Sequence, residues 1–198
     1  MREYTIKKVS GAPDWSAVPE LEIDHRYFDT PDDITAKAQI CYNDEAICVR
    51  LSTVEANVRA VETGPVGMPC EDSCLEFFFC PYENDNRYFN IEFNSVGCMF
   101  LGMGPDVHKL MRLIPEEEPF SPEIIKREDG WEISYTVTYE FIRRIFPEFK
   151  AYSGKRMRAN CYKCADLSEP PHYMAWSPIV GEPFKFHRPE CFGTMIFE

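Results

Sequence analysis

Glu76 and Glu92 lie in two runs of alternating residues, Cys74-Leu75-Glu76-Phe77-Phe78-Phe79 and Tyr88-Phe89-Asn90-Ile91-Glu92-Phe93-Asn94. Side chains of a strand point alternately to its two faces. Leu75, Phe77, Phe79, Ile91 and Phe93 therefore share an apolar face, and Glu76, Asn90, Glu92 and Asn94 share the other. Two carboxylates on adjacent strands could be the acid and nucleophile of a glycosidase. They could equally accept hydrogen bonds from sugar hydroxyls or pair with Arg156 or Arg158. Binding suits these residues better than catalysis, and no catalytic residue is assigned. Because like charges raise a carboxyl pKa, a cation is expected between the pair. Arg158, on the polar side of a later strand with Arg156 and Asn160, is the one expected to fill that place.

Three other groupings offer chemistry. Cys161-Tyr162-Lys163-Cys164 has two-residue spacing and could join Cys70 and Cys74 in a four-thiolate zinc site. Cys161 falls inside a strand rather than on a tight turn, so no metal is assigned. His187 and Cys191 resemble a base and a nucleophile, but one such coincidence among nine cysteines carries no site. Phe184 and Phe186 lie in a proline-bounded loop where exposed rings could stack on a pyranose. Phe186 or Trp176 is expected to supply the apolar platform. The ligand-contacting set is then Glu76, Asn90, Glu92, Asn94, Arg158, Trp176 and Phe186.

The elements that position them are strands. Residues 81–86 are turn formers joining the two central runs, and a third strand ends at Gly102. Residues 35–42 and 46–52 form a scaffold hairpin across Asn43-Asp44-Glu45. Residues 131–139 alternate cleanly, 139–146 make a short helix stopped by Pro147, and 156–163, 173–178 and 193–197 complete the sheets. The expected fold is all-β: a two-sheet antiparallel β-sandwich of immunoglobulin-like or jelly-roll type with one or two short helices, a single domain over 1–198.

Composition narrows the partners. A net charge of -12 and the lack of a Lys/Arg run argue against nucleic acid. No window approaches the roughly 20 apolar residues that span a bilayer, and the first residues lack a signal-peptide core. The expectation is no membrane partner and a cytoplasmic location. An odd count of nine cysteines, several among apolar neighbours, suits reduced thiols rather than a disulfide framework.

The stretch Glu71-Asp72-Ser73-Cys74-Leu75-Glu76-Phe77-Phe78-Phe79, with Asn90-Ile91-Glu92-Phe93-Asn94 and Gly97, resembles the core of family 9 carbohydrate-binding modules. Trp176-Ser177-Pro178 and Phe186 to Gly193 resemble that family's closing signature, so the likeness spans nearly the whole chain. It implies a β-sandwich that binds a saccharide without cleaving it, with Glu76 as the sugar-contacting carboxylate of the D-S-x-x-E pattern. It also implies that calcium could be held by oxygens of Glu71, Asp72 or the Asn84-Asp85 turn; no spacing demands it. Two departures stand out. Pro69 and Phe186 occupy the places of the family's tryptophans, and Glu92 replaces an arginine, exchanging a donor-only fork for an acceptor.

Overall fold

The computed structural model describes residues 2–198. In chain order the strands are β1 (Glu3–Lys8), β2 (Glu20–Glu22), β3 (His25–Tyr27), β4 (Thr35–Tyr42), β5 (Ala46–Val54), β6 (Cys74–Cys80), β7 (Tyr88–Asn94), β8 (Met99–Gly104), β9 (Met111–Leu113), β10 (Glu123–Arg127) and β11 (Gly130–Thr138). Helix α1 (Tyr139–Arg143) follows, then β12 (Arg156–Ala165), β13 (His172–Ala175) and β14 (Gly193–Phe197). Thr138 caps α1, its hydroxyl accepting from the Phe141 amide at 3.2 Å. The helical signal of 139–146 shortens to these five residues and a following turn.

The strands form one mixed sheet of fourteen, with the main order β10-β11-β5-β4-β1-β14-β12-β6-β7-β8-β9. This corrects the expectation of two antiparallel sheets. The correction turns on β1, whose residues Glu3 to Ile6 run parallel to β14 while Lys7 and Lys8 run parallel to β4. Period-two alternation assigns faces but says nothing about which strand lies beside which, so a parallel junction is invisible to it. The sheet curls until strands far apart along this order meet face to face. The Phe93 ring of β7 lies 5.3 Å from that of Tyr135 on β11.

Between these arms lies the main core, built from the apolar faces predicted by alternation: Leu75, Phe77, Phe79, Ile91 and Phe93 against Ile40, Val49, Leu51, Trp131 and Ile133. Each large side chain so buried stabilises the fold by about 1.5–3 kcal/mol. The opposite face of β6, β7 and β12 is also covered. Cys74, Phe78, Tyr88, Tyr162 and Cys164 pack beneath Ile179, Phe186 and Phe192 of the segment between β13 and β14. Asn160 pins the start of that segment, donating to the Ser177 carbonyl at 2.9 Å and accepting from its amide at 2.8 Å.

Candidate functional site

Register brings the two carboxylates together. Glu76 of β6 stands directly opposite Glu92 of β7, and on its other side opposite Tyr162 of β12. One step along the same face, Cys74 stands opposite Cys164. Glu76, Glu92 and Cys164 form the floor of a cavity of about 400 Å³ lined also by Cys70 and Asp166, with Cys74 buried beside Cys164. Its walls are aromatic: Phe28, Phe100, Tyr173, Phe184, Phe186 and His187, with Lys185 the only cation of the lining among the described residues.

The loop wall is built by stacking and hydrogen bonds. Phe186 lies parallel to Tyr162, ring centres 4.2 Å apart, and its carbonyl accepts from the Tyr162 hydroxyl at 3.0 Å. Phe184 packs on Tyr27 at 4.6 Å and edge-on to Phe28 at 5.0 Å. Phe28 itself is 71% exposed and adopts a φ of 55°, a left-handed conformation rare outside glycine and asparagine. A strained, exposed ring at a cavity rim is the kind of feature retained for contact with a ligand. His187 shares a 2.8 Å hydrogen bond with the Tyr88 hydroxyl, and burial drives its pKa down to about 4, leaving the ring neutral.

Electrostatically the floor is strained toward protonation. Burial, reinforced by the Glu92 carboxylate, pushes Glu76 well above the carboxylate range. Burial and the nearby Asp166 raise Glu92 to about 7, against the opposing pull of Asn90 and Arg112. Glu76 accepts from the Cys164 thiol at 2.9 Å. Perturbed groups of this kind, gathered in a cleft, mark functional sites.

Of the residues expected to touch a ligand, Glu76, Glu92 and Phe186 line the cavity, and four do not. Arg158 faces Cys80 in register, four residues along β6 from Glu76, or about 13 Å at strand rise. Its guanidinium donates to the carbonyls of Glu83, Asp85 and Pro189 and to Asn86, so it is not the cation between the carboxylates. The two acids stay without arginine contact, so nothing outweighs the burial that raises both. Trp176 is buried in the main core, its ring so close to Gly193 that an added Cβ would meet it at 2.6 Å. It supplies packing rather than a platform. Asn94 donates to Asp72 and the Glu62 carbonyl and accepts from the amides of Val96 and Cys98. Asn90 is fully buried beneath the lining.

The D-S-x-x-E stretch divides into two roles. Asp72 receives Arg59, the amides of Val61 and Glu62, and Asn94. Ser73 accepts from Trp131 at 2.7 Å and from Lys163 at 3.3 Å, and donates to Glu55. Both therefore brace the strand that presents Glu76. Of the oxygens the resemblance offers for calcium, those of Asp72 are engaged as above and those of Asp85 accept from Arg87. Cys161 points into the main core while Cys164 faces the cavity, as residues three apart on a strand must, so the four-thiolate grouping does not assemble. All nine cysteines are free thiols.

Sequence reasoning missed Phe28, Phe100, Asp166 and Tyr173, and named Cys70 only for a zinc grouping. They come from separate connections and strands, and only pairing across the sheet unites them. Tyr173 had one signal, its place on a short strand after Asp166.

Comparison with known proteins bears on the fold and the family. The model of carbohydrate-binding family 9 matches residues 21–197. A candidate carbohydrate-binding protein from Bacteroides uniformis ATCC 8492 is 29% identical, with a TM-score of 0.82 over 100% of this chain and 99% of that one. A family 9 module from Caldicellulosiruptor kristjanssonii, solved with glucose, gives a TM-score of 0.72 at 11% identity over 100% of this chain and 96% of that one. Its complex with cellotriose gives 0.73 at 11% identity, covering 100% and 94%. No curated protein matches. With the family model covering nearly all of its length, the chain belongs to carbohydrate-binding family 9.

Proposed function

We propose that the cavity above Glu76 and Glu92 binds a saccharide without cleaving it. The observation that carries this reading is the pairing of buried, proton-hungry carboxylates on the floor with aromatic rings on the wall. Sugars present hydroxyls around a ring with apolar C–H faces, and such a cavity offers acceptors or, when protonated, donors to the first and a stacking surface to the second. A volume of about 400 Å³ lies in the range of small-ligand pockets.

Binding rather than hydrolysis is supported by where the carboxylates stand. Cross-strand partners project from one wall in the same direction, whereas a glycosidase flanks the scissile bond with its two acids. Affinity is expected to be modest, with a Kd of about 0.1 to 1 mM, because the floor holds no arginine fork and the walls no tryptophan. Calorimetric titration with glucose, cello-oligosaccharides and a glycan array, alongside a hydrolysis assay on the same preparation, tests it. Saturable binding with no product supports the reading. Turnover lost in Glu76→Gln would move the chain to the glycosidases, and the absence of any bound glycan would leave the cavity without this role.

A further inference from the structure

We infer that the cavity floor is also a site for a soft divalent cation, zinc by preference, held by Cys74, Cys164 and Glu76. It shares the cavity with the saccharide reading but does not depend on it. The thiol sulfurs and a Glu76 oxygen all lie within 4.8 Å of one another, and all three side chains are buried. In tetrahedral zinc with Zn–S near 2.3 Å and Zn–O near 2.1 Å, ligand atoms sit about 3.6 to 3.8 Å apart, so closing the set takes rotamer adjustments and no backbone movement.

The framework is rigid where a site needs it to be. Cys74 and Cys164 are cross-strand partners, and Glu76 follows Cys74 on the same face, so pairing of β6 with β12 fixes all three origins. A second observation points to an occupant. Glu92, 5% exposed and facing Glu76, has a carboxylate oxygen buried without any hydrogen-bond partner. A water of the cavity would take the fourth position, within reach of the unpartnered Glu92 oxygen as acceptor.

Donor chemistry selects the ion. Two thiolates and one carboxylate suit zinc and are foreign to calcium and magnesium, which take oxygen. Cysteine thiols are protonated near neutral pH, so both ligands begin protonated. Binding must then expel two thiol protons and any proton on Glu76, leaving a centre of two thiolates, one carboxylate and one dication, and affinity should rise with pH.

The test uses the full, reduced chain stripped of metal and titrated with zinc alone against a chromophoric chelator. One equivalent should bind, with release of at least two protons seen as a dependence of the apparent heat on buffer ionisation. Cobalt in place of zinc should give sulfur-to-metal charge-transfer absorption of two-thiolate intensity. Cys74→Ser or Cys164→Ser should weaken zinc by roughly 100-fold or more, and Cys41→Ser should not. No saturable uptake, a cobalt spectrum without sulfur bands, or a disulfide between Cys74 and Cys164 in the protein as isolated would overturn the proposal. The cobalt spectrum of the unaltered chain decides the matter even if a serine variant fails to fold. Glucose and cello-oligosaccharide titration of the metal-free chain reads the saccharide proposal separately: zinc uptake without glycan, or glycan without zinc, condemns only one of them.

Discussion

Strand β12 carries Lys163 and Cys164 side by side, and the two residues look into opposite acidic environments. On Lys163's side, Glu55 is 4% exposed and lies 3.3 Å from the Lys163 ammonium, 3.5 Å from the His172 ring, and in hydrogen-bond contact with Ser73. Burial alone would raise its pKa, yet His172, Lys163 and Ser73 together bring it below the ordinary carboxylate value. On Cys164's side, Glu76 and Glu92 are just as buried and are raised. Burial pushes all three carboxyls up; beside Glu55 the His172, Lys163 and Ser73 contacts outweigh it, and beside Glu76 and Glu92 nothing does. Glu55, held between Lys163, His172 and Ser73, is a brace; Glu76 and Glu92, without an ion-pair partner among the described residues, keep their hydrogen-bonding capacity for something that enters the cavity.

Breaking the braced side should have the largest effect. Lys163→Met leaves Glu55 buried without its ammonium partner and should destabilise the fold by about 3–5 kcal/mol, measured by denaturant unfolding at neutral pH. A loss under about 1 kcal/mol would mean the pair is not the brace described.

The cavity side predicts a stability change of opposite sign. A carboxyl raised in the folded state favours folding below its ordinary value near 4.5 and loses that contribution as pH climbs through about 7. Glu55, lowered, does the reverse: its contribution is present above about 4.5 and is lost on acidification. Stability should therefore decline between pH 5 and 8, and Glu92→Gln should flatten that decline and stabilise the fold at pH 8 by on the order of 2 kcal/mol. An unchanged slope in the variant would show that Glu92 is ionised normally.

How far this contrast was legible in the sequence depends on what alternation can encode. Faces were readable: Leu75, Phe77 and Phe79 went to the core and Glu76 to the opposite side, and β4 was delimited by 35–42 as read. Position along a strand was not. Arg158 shares a face with Glu76's neighbour Tyr162 but sits too far down β12 to reach the acids, because pairing register depends on every neighbouring strand. Trp176 shows the same limit: being aromatic near a loop does not distinguish a platform from a core ring when the close partner is Gly193. Phe28 and Asp166 carry no local mark at all, since a cavity assembled from distant connections exists only once the sheet has curled.

Smaller effects should separate wall from scaffold. Phe184→Ala removes a rim ring and should cost about 1 kcal/mol of saccharide affinity, roughly fivefold, while leaving unfolding nearly unaltered. Arg158→Ala, remote from the floor, should keep affinity within about twofold; a larger loss would return that arginine to the site.

The most direct measurement is calorimetric titration of one saccharide, chosen from the glycan array, into the unaltered chain and into Glu76→Gln, with unfolding curves for both. Glu76→Gln keeps shape and one acceptor but cannot carry charge or ligate through two oxygens. Affinity should fall by about 2- to 10-fold, the worth of a net hydrogen bond between neutral groups since burial holds Glu76 protonated, with stability held or increased. Undiminished affinity in a folded Glu76→Gln would contradict the claim that the buried pair is the cavity's recognition element.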